Sequence, residues 1–181
     1  MRCVVLIIIG IGILLGGGWY VSHHLLGGSG AATLVSQDAA DASASTAASD
    51  PSTFTDSALG FSFAIPPGFH VQKTLDDSGE MVLVQSSDAS HGFQVYITAF
   101  NDPGSSITKA RIEQEAHLSV GSDSPLTVAT VAQGLQFDST ADTPPTRQAW
   151  FVYDGYLYQA QVWASDATLL QTILSSWHFT S

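Results

Sequence analysis

Residues 3–21 read CVVLIIIGIGILLGGGWYV and carry no charged side chain. A helix needs about 20 apolar residues to cross a hydrocarbon core of about 30 Å. The run is therefore read as one N-terminal transmembrane helix, and whatever follows must fold without it. Arg2 precedes the run, and the next cation is Lys73. That asymmetry retains the start inside and sends the remainder outside the cytoplasm. Trp19 and Tyr20 stand where interfacial aromatics are expected. A cleaved signal peptide is the competing reading, with Gly16-Gly17-Gly18 or Ser29-Gly30-Ala31 as small residues for cleavage. The length of the run favours the uncleaved anchor, because signal h-regions span about 7–15 residues. Cys3, the single cysteine, lies inside the run, which leaves no disulfide framework and no exported thiol nucleophile.

The remaining chain divides in two. Residues 27–54 are rich in Ala, Ser, Asp, Thr and Gly, too poor in large apolar groups to offset the entropy of ordering. They read as a disordered tether, with 1–26 as the anchor and 55–181 as a globular domain. The formal net charge is −11. Thirteen acids against four bases fall in 55–181. An acidic surface of this kind excludes nucleic acid, whose phosphates require clustered Lys and Arg.

Within the domain, Phe61–Ile65, Phe69–Gln72, Met81–Val84 and Phe93–Phe100 read as strands, broken by Pro66-Pro67-Gly68 and by Asp76-Asp77-Ser78-Gly79. A helix is expected over 108–117, entered from Ser105 or Ser106. Leu126–Ala132 and Leu135–Asp138 read as a hairpin turning at Gln133-Gly134. Asp154-Gly155 signals a two-residue type I′ turn. That turn sets Tyr153 opposite Tyr156, Phe151 opposite Tyr158, and Ala149 opposite Ala160, all on one face. The other face carries Trp150, Val152, Leu157 and Trp163 among Gln148, Gln159 and Gln161. The chain closes with an amphipathic helix, Ala167–Trp177, capped by Ser165 or Asp166, and Phe179 follows it into the core.

Two stretches resemble the Mog1/PsbP-like fold group. Leu59-Gly60-Phe61-Ser62-Phe63-Ala64-Ile65-Pro66-Pro67-Gly68-Phe69-His70-Val71 is similar to that group's opening hairpin. Tyr156-Leu157-Tyr158, the late helix and Trp177-His178-Phe179 are similar to its closing elements. The resemblance implies an α+β domain: a mainly antiparallel sheet with helices on both faces, an α/β/α sandwich. It carries no activity across, because plant members are extrinsic photosystem subunits, the yeast member binds a small GTPase, and neither set of interaction residues can be placed on this chain.

No hydrolase, zinc or phosphate-loop signature occurs, so no catalytic residue, cofactor or metal is assigned. His70 with His91 and a nearby Asp would make a metal group only if the fold joins them, and Asp76-Asp77 with Glu80 offers carboxylates for calcium but lacks the calcium-loop spacing. Lys73 and Lys109 read as solvated surface lysines. Aromatic rings beside amides suit sugar or peptide recognition, which singles out Trp150, Gln159, Gln161 and Trp163. A helix covering that face, with the tryptophans in the core, is the alternative. The expectation is a membrane-anchored extracytoplasmic domain, a non-catalytic interaction module whose partner is an envelope protein or a polysaccharide. A carbohydrate or cell-wall binding module, and a hydrolase with a dispersed Asp/Glu/His site, are the alternatives.

Overall fold

The computed structural model describes residues 52–77, 79–102, 106–140 and 142–180. The anchor and most of the tether lie outside them. The described chain begins with strand β1 (Ser52–Asp56), so residues 52–54 at the end of the assigned tether are already paired. There follow β2 (Phe61–Ile65), β3 (Phe69–Asp76), β4 (Gly79–Ser86), β5 (Gly92–Ala99), α1 (Lys109–Glu115), β6 (Val120–Val128), β7 (Ala132–Ser139), β8 (Thr146–Tyr153), β9 (Tyr156–Trp163), α2 (Ala167–Ser175) and β10 (His178–Phe179). A single 3-10 turn, Ala164–Asp166, leads into α2.

Seven strands form one antiparallel sheet in the order β3-β4-β5-β9-β8-β7-β6, and β1-β2-β10 form a second, small sheet. Strand β2 alternates Phe61 and Phe63 inward. Their rings join Leu170, Ile173 and Leu174 of α2 and the inward rows of the large sheet in the main core. On the opposite face, Ile112 of α1 and its C-cap Ala116 cover only Leu135, Phe137, Trp150, Leu157 and their surroundings. Among the described residues the expected mainly antiparallel α+β fold is present with two helices, one against each face. The helical layers are partial: α2 shares its side with the small sheet, and α1 covers one end of the other side.

The β8–β9 hairpin follows the expected register, with Tyr153↔Tyr156, Phe151↔Tyr158 and Ala149↔Ala160. Asp154 (φ 45°) and Gly155 (φ 77°) supply the two left-handed residues of the turn. The β6–β7 turn differs from expectation. Gln133 and Gly134 are strand residues paired with Thr127 and Leu126. The chain reverses instead at Ala129 (φ 49°) and Thr130 (φ 64°), closed by Val131 N–H donating to Val128 O at 3.2 Å. Gly134 looks like a turn residue but serves close approach: a Cβ there would lie 2.7 Å from Phe151 Cα and collide with Trp150 O. Helix α1 is entered two or three residues later than expected, at Thr108, whose Oγ1 accepts from Arg111 N–H at 3.3 Å. Helix α2 ends at Ser175, before the expected Trp177, and Asp166 makes no side-chain cap on it.

Candidate binding face

The large sheet presents its second face as rows of side chains running across the strands. One row is Gln72, Leu83, Gln94, Gln161 and Gln148, in register from β3 to β8. The next is Thr74, Met81, Tyr96, Gln159 and Trp150. A third brings His70 beside Gln85, Gln85 beside Gly92, and Trp163 beside Thr146. Phe93 pairs with Val162, so Gly92 and Trp163 occupy neighbouring positions on adjacent strands. Strand side chains alternate between faces, which puts all of these opposite the main core.

Burial divides the rows. Trp150, Gln148 and Thr146 are buried, whereas Gln94, Tyr96, Gln159, Gln161 and Trp163 are half-exposed. The apolar cluster under α1 ends at Trp150 and Leu157. Among the described residues no helix packs over β3, β4 and β5 on this side.

Of the four residues singled out from sequence, Trp150 is thus separated from the other three. It is 5% exposed, its ring meets Phe137 edge-on at 5.8 Å, and its Nε1–H donates to Gln148 Oε1 at 2.9 Å. Gln148 Nε2 donates in turn to Thr146 Oγ1 at 3.0 Å, and Thr146 Oγ1 to Asp142 Oδ2 at 2.6 Å. Trp150 is a core residue with its polar edge satisfied. Gln159, Gln161 and Trp163 stay together on the half-open part of the face, joined by Gln94 and Tyr96 of β5. Those two were not among the sequence candidates, because the β5–β9 pairing joins strands about 60 residues apart in the chain and leaves no local signal.

Two titratable clusters lie elsewhere. Lys73 Nζ donates to Asp56 Oδ2 and to Glu80 Oε2, the latter at 2.8 Å. The carboxylates are almost fully buried and the lysine is partly so. Lys73 is therefore a bridging cation, not a free surface lysine, and Glu80 faces it instead of a calcium loop. Burial raises Asp56, but the Lys73 and Leu59 N–H hydrogen bonds outweigh it and lower the pKa overall. Burial and the neighbouring Asp56 raise Glu80 despite Lys73. Of the two carboxylates that share Lys73, Asp56 is thus the more acidic. Asp56 also accepts from Ala58 and Leu59 N–H at 2.9 Å each, which holds the turn after β1. The cluster ties β1 to β3 and β4, and it leaves no space for a substrate between the two carboxylates.

His91 Nδ1 is 2.8 Å from Asp166 Oδ1. This contact explains why Asp166 does not cap α2. Asp88 accepts from Ser86 and Ser90 in the same turn, at 2.6 and 2.7 Å, and those bonds hold its carboxyl far below the usual range. Among the described residues no three His, Cys, Asp or Glu side chains form a metal-holding group. His70 stands on β3 opposite Gln85, in the open row.

The hydrogen bond to Asp166, with its charge, raises the His91 pKa. A raised folded-state pKa means the stabilising contribution is complete below the ordinary histidine value and is lost as pH rises through the raised one. Asp166 and Asp88 are the acids facing it. The melting temperature of wild type should exceed that of His91→Asn at pH 5.5, and the two should converge by pH 9. A constant gap across that range would contradict the assignment.

The two-sheet topology, with α2 closing the core between the sheets, is a PsbP-like fold. The solution structure of cyanobacterial PsbP (CyanoP) from Synechocystis sp. PCC 6803 superposes with a TM-score of 0.54 at 11% sequence identity, covering 77% of this chain and 98% of that one. No protein-family model matches the chain, and no curated protein matches it.

Proposed function

We propose that this chain is a non-catalytic binding module, held outside the cytoplasm by residues 1–26 and tethered through 27–54, that docks a component of the cell envelope on the half-open face of β5 and β9. The observation that carries the reading is the composition of that face. The amides of Gln94, Gln161 and Gln159 lie beside Trp163 and the half-exposed Tyr96, whose hydroxyl is buried, on rigid strands. Rigid elements position a recognition surface better than loops do. A PsbP-like fold agrees with an accessory role, although fold alone assigns no activity.

A hydrolytic reading finds less support. The buried carboxylate pair Asp56 and Glu80 is occupied by Lys73. His91 is oriented by Asp166, yet among the described residues no hydroxyl or thiol is hydrogen-bonded to its other ring nitrogen. A histidine-activated nucleophile requires that contact.

Site-specific photo-crosslinking in intact cells tests the docking face. A crosslinker at Gln161 should give a discrete adduct that is absent from a control position at the exposed Asp123 of β6. The adduct should disappear when Gln94→Glu places a carboxylate beside it. Equal yields at both positions, or no adduct at either, would overturn the reading.

A further inference from the structure

We propose that the outer edge of β3 pairs with the same edge of a second copy of this chain, antiparallel about a two-fold axis at Gln72, so that two large sheets join into one. β3 and β6 are the end strands of the seven-stranded sheet. An end strand offers a row of unpaired backbone N–H and C=O groups, and folded proteins blunt such rows with proline, bulges and charge. β6 carries all three: Pro125 has no N–H to give, the register shifts between Val120 and Asp123, and Asp123 is exposed. β3 has no proline, and its register against β4 is unbroken from Phe69 to Asp76. Its one cation, Lys73, is turned to Asp56 and Glu80 and does not guard the edge. Leu75 of the same strand is 73% exposed, the most exposed large apolar side chain among the described residues.

The sequence of β3 selects a second copy as the occupant. Opposed residues of an antiparallel pair point to the same side of the sheet, so the two-fold axis must pass where a residue lies opposite itself. An axis at Gln72 pairs Phe69–Leu75 with its copy, and an axis at Lys73 pairs His70–Asp76; other axes overlap less. The Lys73 axis sets two cationic side chains directly opposite each other, which is unfavourable. The Gln72 axis sets each exposed Leu75 against the half-buried Phe69 of the other copy, Lys73 against Val71 and His70 against Thr74. No like charges are opposed, and Asp76 falls beyond the paired stretch. The row Gln161, Gln94, Leu83, Gln72 then continues into the same row of the second copy, and both half-open faces look one way. Both β1 strands lie on the other side, with the main core, which suits two chains anchored in one membrane. Two strands alone make a small contact, in the class of transient interfaces. Shared anchoring raises the local concentration, and salt screens the repulsion between two chains of net charge −11.

Sedimentation equilibrium of the full chain in density-matched mild detergent, at about 0.3 M salt, should show a reversible monomer–dimer transition below about 0.1 mM chain. Leu75→Lys places a charge against Phe69 of the other copy at a site too exposed to support the core. It should raise the dissociation constant about tenfold or more with an unchanged circular dichroism spectrum. In a Cys3→Ser background, Gln72→Cys should oxidise to a disulfide-linked dimer. Thr74→Cys should not, because with this axis it stands about 13 Å from its counterpart. A chain that stays monomeric at about 0.1 mM overturns the proposal. A dimer that Leu75→Lys leaves intact also overturns it, as does an equal disulfide yield at the two cysteine positions. The docking face of β5 and β9 is tested separately by the Gln161 crosslinker and can stand or fall without this dimer.

Discussion

Replacing Trp177 with alanine is expected to lower unfolding free energy by about 3–5 kcal/mol, the range for large aromatic-to-alanine changes in a core. The upper part of that range applies because of what the indole touches. It is 1% exposed and lies nearly parallel to Phe61 at 4.8 Å and 6°, with Phe63 stacked at 5.1 Å. Phe151 and Tyr158 of the large sheet meet it edge-on at 5.6 and 6.0 Å. Trp177 thus joins the small sheet to the large one just after α2 ends. Its loss opens a cavity between two sheets that cannot both collapse into it. Domains of this size are stable by about 5–15 kcal/mol, so the variant stands near the edge of folding. Trp177→Phe keeps a ring in the stack and removes an Nε1–H that is buried without an acceptor. It should cost less than half as much. Urea denaturation followed by far-ultraviolet circular dichroism measures both, and a loss below about 1.5 kcal/mol for the alanine variant would contradict this packing argument.

Lys73→Met should produce the second large effect. It strands two carboxylates whose side chains are 1% and 8% exposed. Removing one member of a buried ion cluster costs about 3–5 kcal/mol. Lys73 itself is 37% exposed, and solvent screening brings the expected loss to about 2–3 kcal/mol. Glu80→Gln should be milder, because burial and Asp56 already disfavour the charged form of Glu80 and the lysine keeps Asp56 as its partner. The double variant should lose less than the sum, since each change acts on the same cluster. The pH dependence has a definite sign. In wild type the lowered Asp56 pKa gives stability above the ordinary carboxylate range that fades as pH falls. In Lys73→Met only the Ala58 and Leu59 N–H bonds still oppose desolvation, so the Asp56 pKa rises and the variant loses less on protonation. The gap between the two proteins should narrow from pH 7 to pH 4.5, and a widening gap would refute the assignment. Because Asp56 ends β1, this cluster also fastens the first described strand to β3 and β4 of the large sheet.

Local signals were reliable where one short stretch decides the geometry. Asp154-Gly155 specified its turn and thereby the entire β8–β9 register. The spacing of Leu170, Ile173 and Leu174 placed one apolar stripe on the core, and the length of α2 was overestimated by only two residues. Gly134 misled because a glycine serves both left-handed turns and close backbone approach, and only the neighbouring strand distinguishes them. The β6–β7 turn was illegible for the opposite reason. Ala129 and Thr130 adopt left-handed angles that their side chains disfavour, held by the strands on either side.

The candidate face shows the same division. Alternation along β8 and β9 put Trp150, Gln159, Gln161 and Trp163 on one side, because strand periodicity is a property of the chain alone. Whether that side was covered depended on where α1 came to rest, and it rests over Trp150 and not over Trp163. Lys73 looked solvated for a related reason, since its partners lie 17 residues before it and 7 after it. The sequence by itself determined which residues share a strand face, where the β8–β9 hairpin turns and how acidic the surface is, all consequences of backbone periodicity and composition. Only the tertiary structure decided which tryptophan is buried, which glutamines stand beside the open one, and which carboxylates share a lysine. Those are contacts between segments far apart in the chain, and burial and charge pairing are set by such contacts.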